Sequence, residues 1–81
     1  MFKVIWETDS LNDLDAKTAL QIKKKIDTYL VQSPKHLGKP LSGIYKGMYR
    51  YRYGNYRVIY EIKSKEKIII ILKIGHRKEV Y

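Results

Sequence analysis

The chain has 81 residues, with 17 Lys and Arg against 8 Asp and Glu, a net charge of +9, and no cysteine. That length makes one small domain, residues 1–81, which buries about 60% of its unfolded surface and is only modestly stable alone. The missing thiols exclude disulfides and thiolate metal sites. The charge suits nucleic acid, an anionic membrane or an acidic protein.

The opening MFKVIWETDS has too short an apolar run for a signal peptide, and no segment approaches the roughly 18 apolar residues of a membrane span. A cytoplasmic protein with no membrane partner is expected. Phe2 to Trp6 alternates as a first strand. Asp9 or Ser10 can cap a helix after it, with Leu11 and Leu14 as its apolar contacts. From Ala16 to about Gln32, Ala19, Ile22, Ile26, Tyr29 and Leu30 recur at helical spacing, which predicts an amphipathic helix. Lys23, Lys24 and Lys25 between them read as a solvated face, with a secondary RNA-contacting surface as the alternative.

Ser33-Pro34 ends that helix, and Pro34 to Gly47 reads as a basic loop carrying Lys35, Lys39 and Lys46. Next comes MYRYRYGNYRVIYEI, Met48 to Ile62, in which Gly54-Asn55 is a two-residue hairpin signal because glycine supplies the positive φ of a type I′ or II′ turn. Counting outward, Tyr53 faces Tyr56, Arg52 faces Arg57, Tyr51 faces Val58 and Arg50 faces Ile59. Side chains alternate across a strand, so Arg50, Arg52 and Arg57 share one face, while Tyr51, Tyr53, Val58, Tyr60 and Ile62 share the other. Like charges facing each other weaken a sheet, so this cluster points to a bound polyanion.

A turn around Lys63 to Glu66 leads into Lys67 to Ile74, an apolar run too short and too β-branched for a helix, read as a strand buried on both faces. With a three-residue loop at Ser64 to Glu66, Lys73 falls opposite Arg57, Ile69 and Ile71 join the arginine face, and Ile68, Ile70, Leu72 and Ile74 face the helices. The expected fold class is α+β: a small antiparallel sheet in β-α-α-β-β-β order, with two N-terminal helices on one face and the other face open and basic.

No Asp or Glu occurs from Thr28 to Tyr60, and all four arginines lie between positions 50 and 77. Arg50, Arg52 and Arg57, joined by Arg77 from the tail, can clamp a phosphate and stabilise charge that develops on it. Lys39, Lys46, Lys73 and Lys78 extend the RNA-binding set. RNA cleavage also needs proton transfer, for which His76 and Tyr81 are the candidates, arginine being effectively never deprotonated. A lone His76 equally suits a structural hydrogen bond, and Tyr81 a frayed end. The tyrosines at 49, 51, 53, 56 and 60 read as core and cross-strand packing rather than base stacking. There is no metal-ligand spacing, P-loop, Ser-His-Asp set or dinucleotide fingerprint, and no cofactor is expected.

Leu41-Ser42-Gly43, Tyr49-Arg50-Tyr51-Arg52, Gly54-Asn55-Tyr56-Arg57-Val58-Ile59-Tyr60-Glu61, Ile74-Gly75-His76-Arg77 and Val80-Tyr81 together resemble the RelE/ParE superfamily of toxin–antitoxin toxins, and in particular its RelE-like messenger RNA interferases. The resemblance implies ribosome-dependent cleavage of mRNA in the A site by 2′-OH attack on the adjacent phosphate, with ribosome and mRNA as targets and a cognate acidic antitoxin as inhibitor. Family members carry basic residues at the positions of Arg50 and Arg52, arginines at those of Arg57 and Arg77, and a C-terminal tyrosine at that of Tyr81. The best-known member has lysines at the first two, so a lysine proton acceptor is absent here. His76 fits a branch with histidine in this tail. The resemblance also admits a ParE-like inhibitor of DNA gyrase without nuclease chemistry, although that branch generally lacks the full arginine-plus-tail set. The charge alone would suit a non-catalytic RNA-binding module.

Overall fold

The computed structural model describes residues 2–7 and 14–76, with His76 described by its backbone only. In chain order the elements are β1 (Lys3–Trp6), α1 (Ala16–Lys25) prolonged by a π-helical turn (Ile26–Leu30), α2 (Pro34–Leu37), β2 (Lys39–Pro40), a 3-10 turn (Gly43–Tyr45), β3 (Met48–Tyr53), β4 (Tyr56–Lys63) and β5 (Ile68–His76). One sheet of five strands has the order β1-β5-β4-β3-β2, and α1 packs on one of its faces. The α+β class with helical cover on one face is as expected. The sheet is mixed rather than wholly antiparallel, because β1 lies parallel to β5. A strand joined through helices and three further strands is free to reach the far edge, where a hairpin neighbour is not.

Asp15 starts α1: its backbone is extended, and its carboxylate accepts from the Thr18 N–H at 3.1 Å. Hydrogen bonding to Thr18, first to its side chain and then to its backbone N–H, holds the carboxyl pKa below its ordinary 3.8. The first helix, expected after Asp9 or Ser10, falls on positions 8–13, outside the described residues; Leu14 packs against the core. Ile22, Ile26 and Leu30, four apart, form the fully buried ridge of the long helix. Tyr29, expected on that ridge, is 52% exposed, with the Lys25 ammonium 5.0 Å from its ring centre. The π turn, in which the Val31 N–H donates to the Ile26 carbonyl at 3.2 Å, carries Leu30 and Val31 into the core and leaves Tyr29 outside. Lys23, Lys24 and Lys25 are exposed.

The stretch expected as a basic loop, Pro34 to Gly47, holds α2, β2 and the 3-10 turn. Its anchor is Tyr60, wholly buried on β4, whose hydroxyl donates to the Pro34 carbonyl at 2.5 Å. Gly38 passes so close that a Cβ there would overlap that hydroxyl.

The β3–β4 register is the one counted from Gly54-Asn55, with Tyr53 opposite Tyr56, Arg52 opposite Arg57, Tyr51 opposite Val58 and Arg50 opposite Ile59. Gly54 has φ +57°, as such a turn requires. The β4–β5 register differs from expectation. The turn between these strands is Ser64 to Lys67, one residue longer than assumed, with Lys67 at φ +58° and Lys63 opposite Ile68. A one-residue shift exchanges the faces. Ile69 and Ile71 therefore lie in the core opposite Ile62 and Tyr60, whereas Ile68 and Ile70 take the arginine side.

The register then shifts between Ile59 and Tyr60, leaving Leu72 as the extra residue of a β-bulge. Beyond it Ile74 returns to the core opposite Val58, and Lys73 and Gly75 face Ile59 and Arg57. Among the described residues no helix is long and apolar enough to cross a membrane.

Candidate nucleic-acid interface

Strand pairing lines up two rows of positions on the face away from α1. Lys39, Arg50, Ile59 and Lys73 are consecutive partners across β2, β3, β4 and β5. One pleat further toward the hairpin tip, Arg52, Arg57 and Gly75 are partners across β3, β4 and β5. Neighbouring strands lie about 4.8 Å apart and successive same-face positions about 6.6 Å apart, so these side chains share a patch roughly 15 Å wide and one pleat deep. Arg52 is exposed. Arg50 and Arg57 are half-buried, and Arg57 Nε is shielded from solvent. Gly75 has no side chain to contest the space beside Arg57.

A carboxylate also belongs to this face, just past the acid-free span that ends at Tyr60. Glu61 follows Arg57 and Ile59 at the same parity, so it lies on the arginine side, opposite Met48 and Ile70. It is ion-paired with Lys63 at 3.0 Å, which raises the lysine's pKa, mainly through their hydrogen bond. The cationic patch is thus bounded on its inner side by a carboxylate whose charge is locally offset. Parity alone would have found it, since positions 57, 59, 61 and 63 alternate together on one strand.

Lys46 is exposed but lies beyond the start of β3, outside both rows. His76 pairs by its backbone with Tyr56, directly after the Gly75–Arg57 pair, so β5 ends beside the two facing arginines. Arg77, Lys78 and Tyr81 lie outside the described residues. Tyr51 and Tyr60, on the helix side, are raised in pKa, first by burial and then by neighbouring tyrosines, and stay protonated at neutral pH. Tyr49 stacks on Tyr60 with ring centres 5.7 Å apart, so packing is the role of this pair.

An array of guanidinium and ammonium groups on a rigid sheet can bind successive phosphates and stabilise charge that grows on one of them. A family model described as the ParE toxin of type II toxin–antitoxin systems, parDE, matches residues 4–81. The chain belongs to this toxin family. The superfamily resemblance carried by the hairpin and tail is therefore borne out.

Toxin RelG of Mycobacterium tuberculosis is 35% identical to it over 52 residues, which is 64% of this chain and 60% of RelG, so the chain matches less than two thirds of that relative's length. The toxin–antitoxin complex RelBE2 from Mycobacterium tuberculosis contains a chain that superposes with a TM-score of 0.87 at 26% identity, covering 94% of this chain and 98% of that one. The archaeal RelE–RelB complex from Pyrococcus horikoshii matches with a TM-score of 0.66 at 27% identity and 98% of each chain covered. The mixed five-stranded sheet described above matches the fold of these neighbours.

Proposed function

We propose that this chain is the toxin of a type II toxin–antitoxin pair and acts in the cytoplasm as a ribosome-dependent endoribonuclease that cuts mRNA in the A site and stops translation. The observation that carries the reading is the Arg52–Arg57 cross-strand pair. Two guanidinium groups facing each other cost the sheet stability, and a bound phosphate removes that cost.

In the reaction the ribose 2′-oxygen forms a bond to the adjacent phosphorus as the bond to the 5′-oxygen breaks, leaving a 2′,3′-cyclic phosphate and a 5′-hydroxyl. Arg50 and Arg52 hold the RNA backbone, with Lys39, Lys46, Lys73 and Lys78 gripping flanking phosphates. Arg57 and Arg77 stabilise the extra negative charge of the five-coordinate phosphorus. His76 and Tyr81 move the protons, one from the 2′-hydroxyl and one to the leaving 5′-oxygen. Neither cofactor nor metal takes part.

The same open cationic face suits an acidic, partly disordered antitoxin that orders on binding, and the RelBE2 and RelE–RelB neighbours are themselves toxin–antitoxin complexes.

The test is primer extension on an mRNA in a translating extract, with wild type beside an Arg57→Ala/Arg77→Ala double variant. Breaks within codons that need ribosomes and vanish in the variant are expected. The matching family model carries the ParE name, which favours one other reading: inhibition of DNA gyrase by binding alone. Intact mRNA at a dose that arrests growth, together with loss of gyrase supercoiling activity, would replace the nuclease with that inhibitor.

A further inference from the structure

The end of the molecule opposite the hairpin tip has a feature that the arginine face does not explain. A pocket of about 320 Å³ opens between the start of β1, the end of the long helix with α2, and the β4–β5 turn. Lys35, His36 and Lys67 line it together with Phe2 and Pro34, and Ser33 and Ser64 add hydroxyls. Among the described residues no carboxylate lines it. It thus combines cations, hydrogen-bonding groups and a small apolar surface, in a volume at the lower end of those that hold small ligands.

A second, independent observation concerns Lys67. It is the only non-glycine with positive φ among the described residues, at +58°. A lysine in that conformation costs about 1 kcal/mol against the glycine that would sit there without strain, so the turn retains a cation at a position where backbone energetics favours none. Its ammonium lies over the Phe2 ring, 5.9 Å from the centre, which places the charge at the pocket's apolar wall. Backbone strain of this kind concentrates at ligand-binding and active sites, which an exposed lysine on its own does not.

We infer that this pocket binds a nucleoside monophosphate unit, either free or as one nucleotide of an RNA strand. The phosphate sits between the ammonium groups of Lys35 and Lys67, and the ring system lies against Phe2 and Pro34 within reach of His36 and the two serine hydroxyls. Six residues of β4 separate the pocket end from Arg57, about 20 Å along an extended strand. The pocket is therefore a second nucleotide site, distinct from the arginine face, and it stands whether or not that face cleaves RNA.

The test is a titration of the full chain with AMP, adenosine and a short oligoadenylate, followed by amide chemical shifts. Lys67→Gly is the informative variant, because it removes the charge while relieving the strained φ, so the fold is retained or stabilised. Lys35→Gln is its companion.

AMP is expected to shift the amides of Ser33 to His36, Ser64 and Lys67. Either variant should weaken AMP by about tenfold, and adenosine should bind markedly less well than AMP. Shifts at the pocket with AMP but not with the oligonucleotide assign a free nucleotide, whereas pocket shifts with the oligonucleotide assign an RNA strand. Equal binding of adenosine and AMP, AMP shifts confined to Arg50, Arg52 and Arg57, or undiminished AMP binding in Lys67→Gly would overturn the inference. None of these outcomes bears on mRNA cleavage, which the Arg57→Ala/Arg77→Ala comparison decides separately.

Discussion

Tyr60 ties the interior of this protein to the edge of its cationic face. Its ring packs among Val58, Ile71 and the helix ridge, and its hydroxyl donates to the Pro34 carbonyl across 26 positions of sequence. That bond and the close passage of Gly38 hold the segment leading into β2, and β2 sets Lys39 beside Arg50. Gly38→Ala should lower stability by about 1–3 kcal/mol, the usual cost of forcing an extra methyl into a filled space, as read by urea denaturation. In a Tyr60→Phe background, which lacks both the nearest clashing atom and the Pro34 bond, Gly38→Ala should cost less than it does in wild type. An unchanged unfolding midpoint in Gly38→Ala would mean that the 34–38 segment swings clear of Tyr60 at no cost. Strand parity placed Tyr60 on the helix side from sequence. Its partner was not legible, since nothing local marks which carbonyl a buried hydroxyl will meet.

Among the elements, α1 shows the strength of a local signal and the sheet shows its limit. The Ile22, Ile26 and Leu30 ridge follows from helical spacing, and the Asp15 carboxylate satisfies an N–H that the first turn leaves without a helical partner. Because the folded carboxyl has a depressed pKa, its contribution is present at neutral pH and is lost as pH falls through that lowered value. Asp15→Ala should therefore melt below wild type at pH 7, and the gap should close as the pH falls below the ordinary carboxylate range. A gap of constant size would assign the effect to something other than the charged cap.

The hairpin register was legible because a two-residue turn leaves a single way to count. The β4–β5 register was not, because a loop of three residues and one of four give opposite faces to every side chain that follows. The choice fell to Ile69 and Ile71, which are fully buried on the helix side. Leu72 then provides the bulge that returns Lys73 to the arginine rows. A continuous isoleucine run cannot announce such a bulge, since each of its positions is equally apolar.

For the whole molecule, a net charge of +9 is a statement about partners and not about fold. The fold sets part of that charge on two opposite surfaces, with Lys39, Arg50, Arg52, Arg57 and Lys73 on the sheet and Lys23, Lys24 and Lys25 exposed on the helix. If RNA tracks across the sheet, Lys73→Gln should weaken binding to a single strand and lower the slope of log K against log salt by about 0.7, the value for neutralising one phosphate fewer. Lys23→Gln, on the far surface, should leave the slope unchanged. Equal slopes for both variants would mean that the charge acts as a diffuse field and that the rows are not the track.

Composition, the Gly54-Asn55 turn and side-chain parity were enough to assign the class of the fold and to gather Arg50, Arg52 and Arg57 on one face, because each depends on residues a few positions apart. The family resemblance rested instead on the ordered motif residues of the hairpin and tail, and the match over residues 4–81 bears it out. The parallel entry of β1 beside β5, the Lys39–Arg50 neighbourhood made by β2, the bulge at Leu72 and the pocket beneath Lys67 emerged with the folded chain. Which segments meet and in what register is settled by filling one core and pairing its backbone groups, a condition on the whole chain.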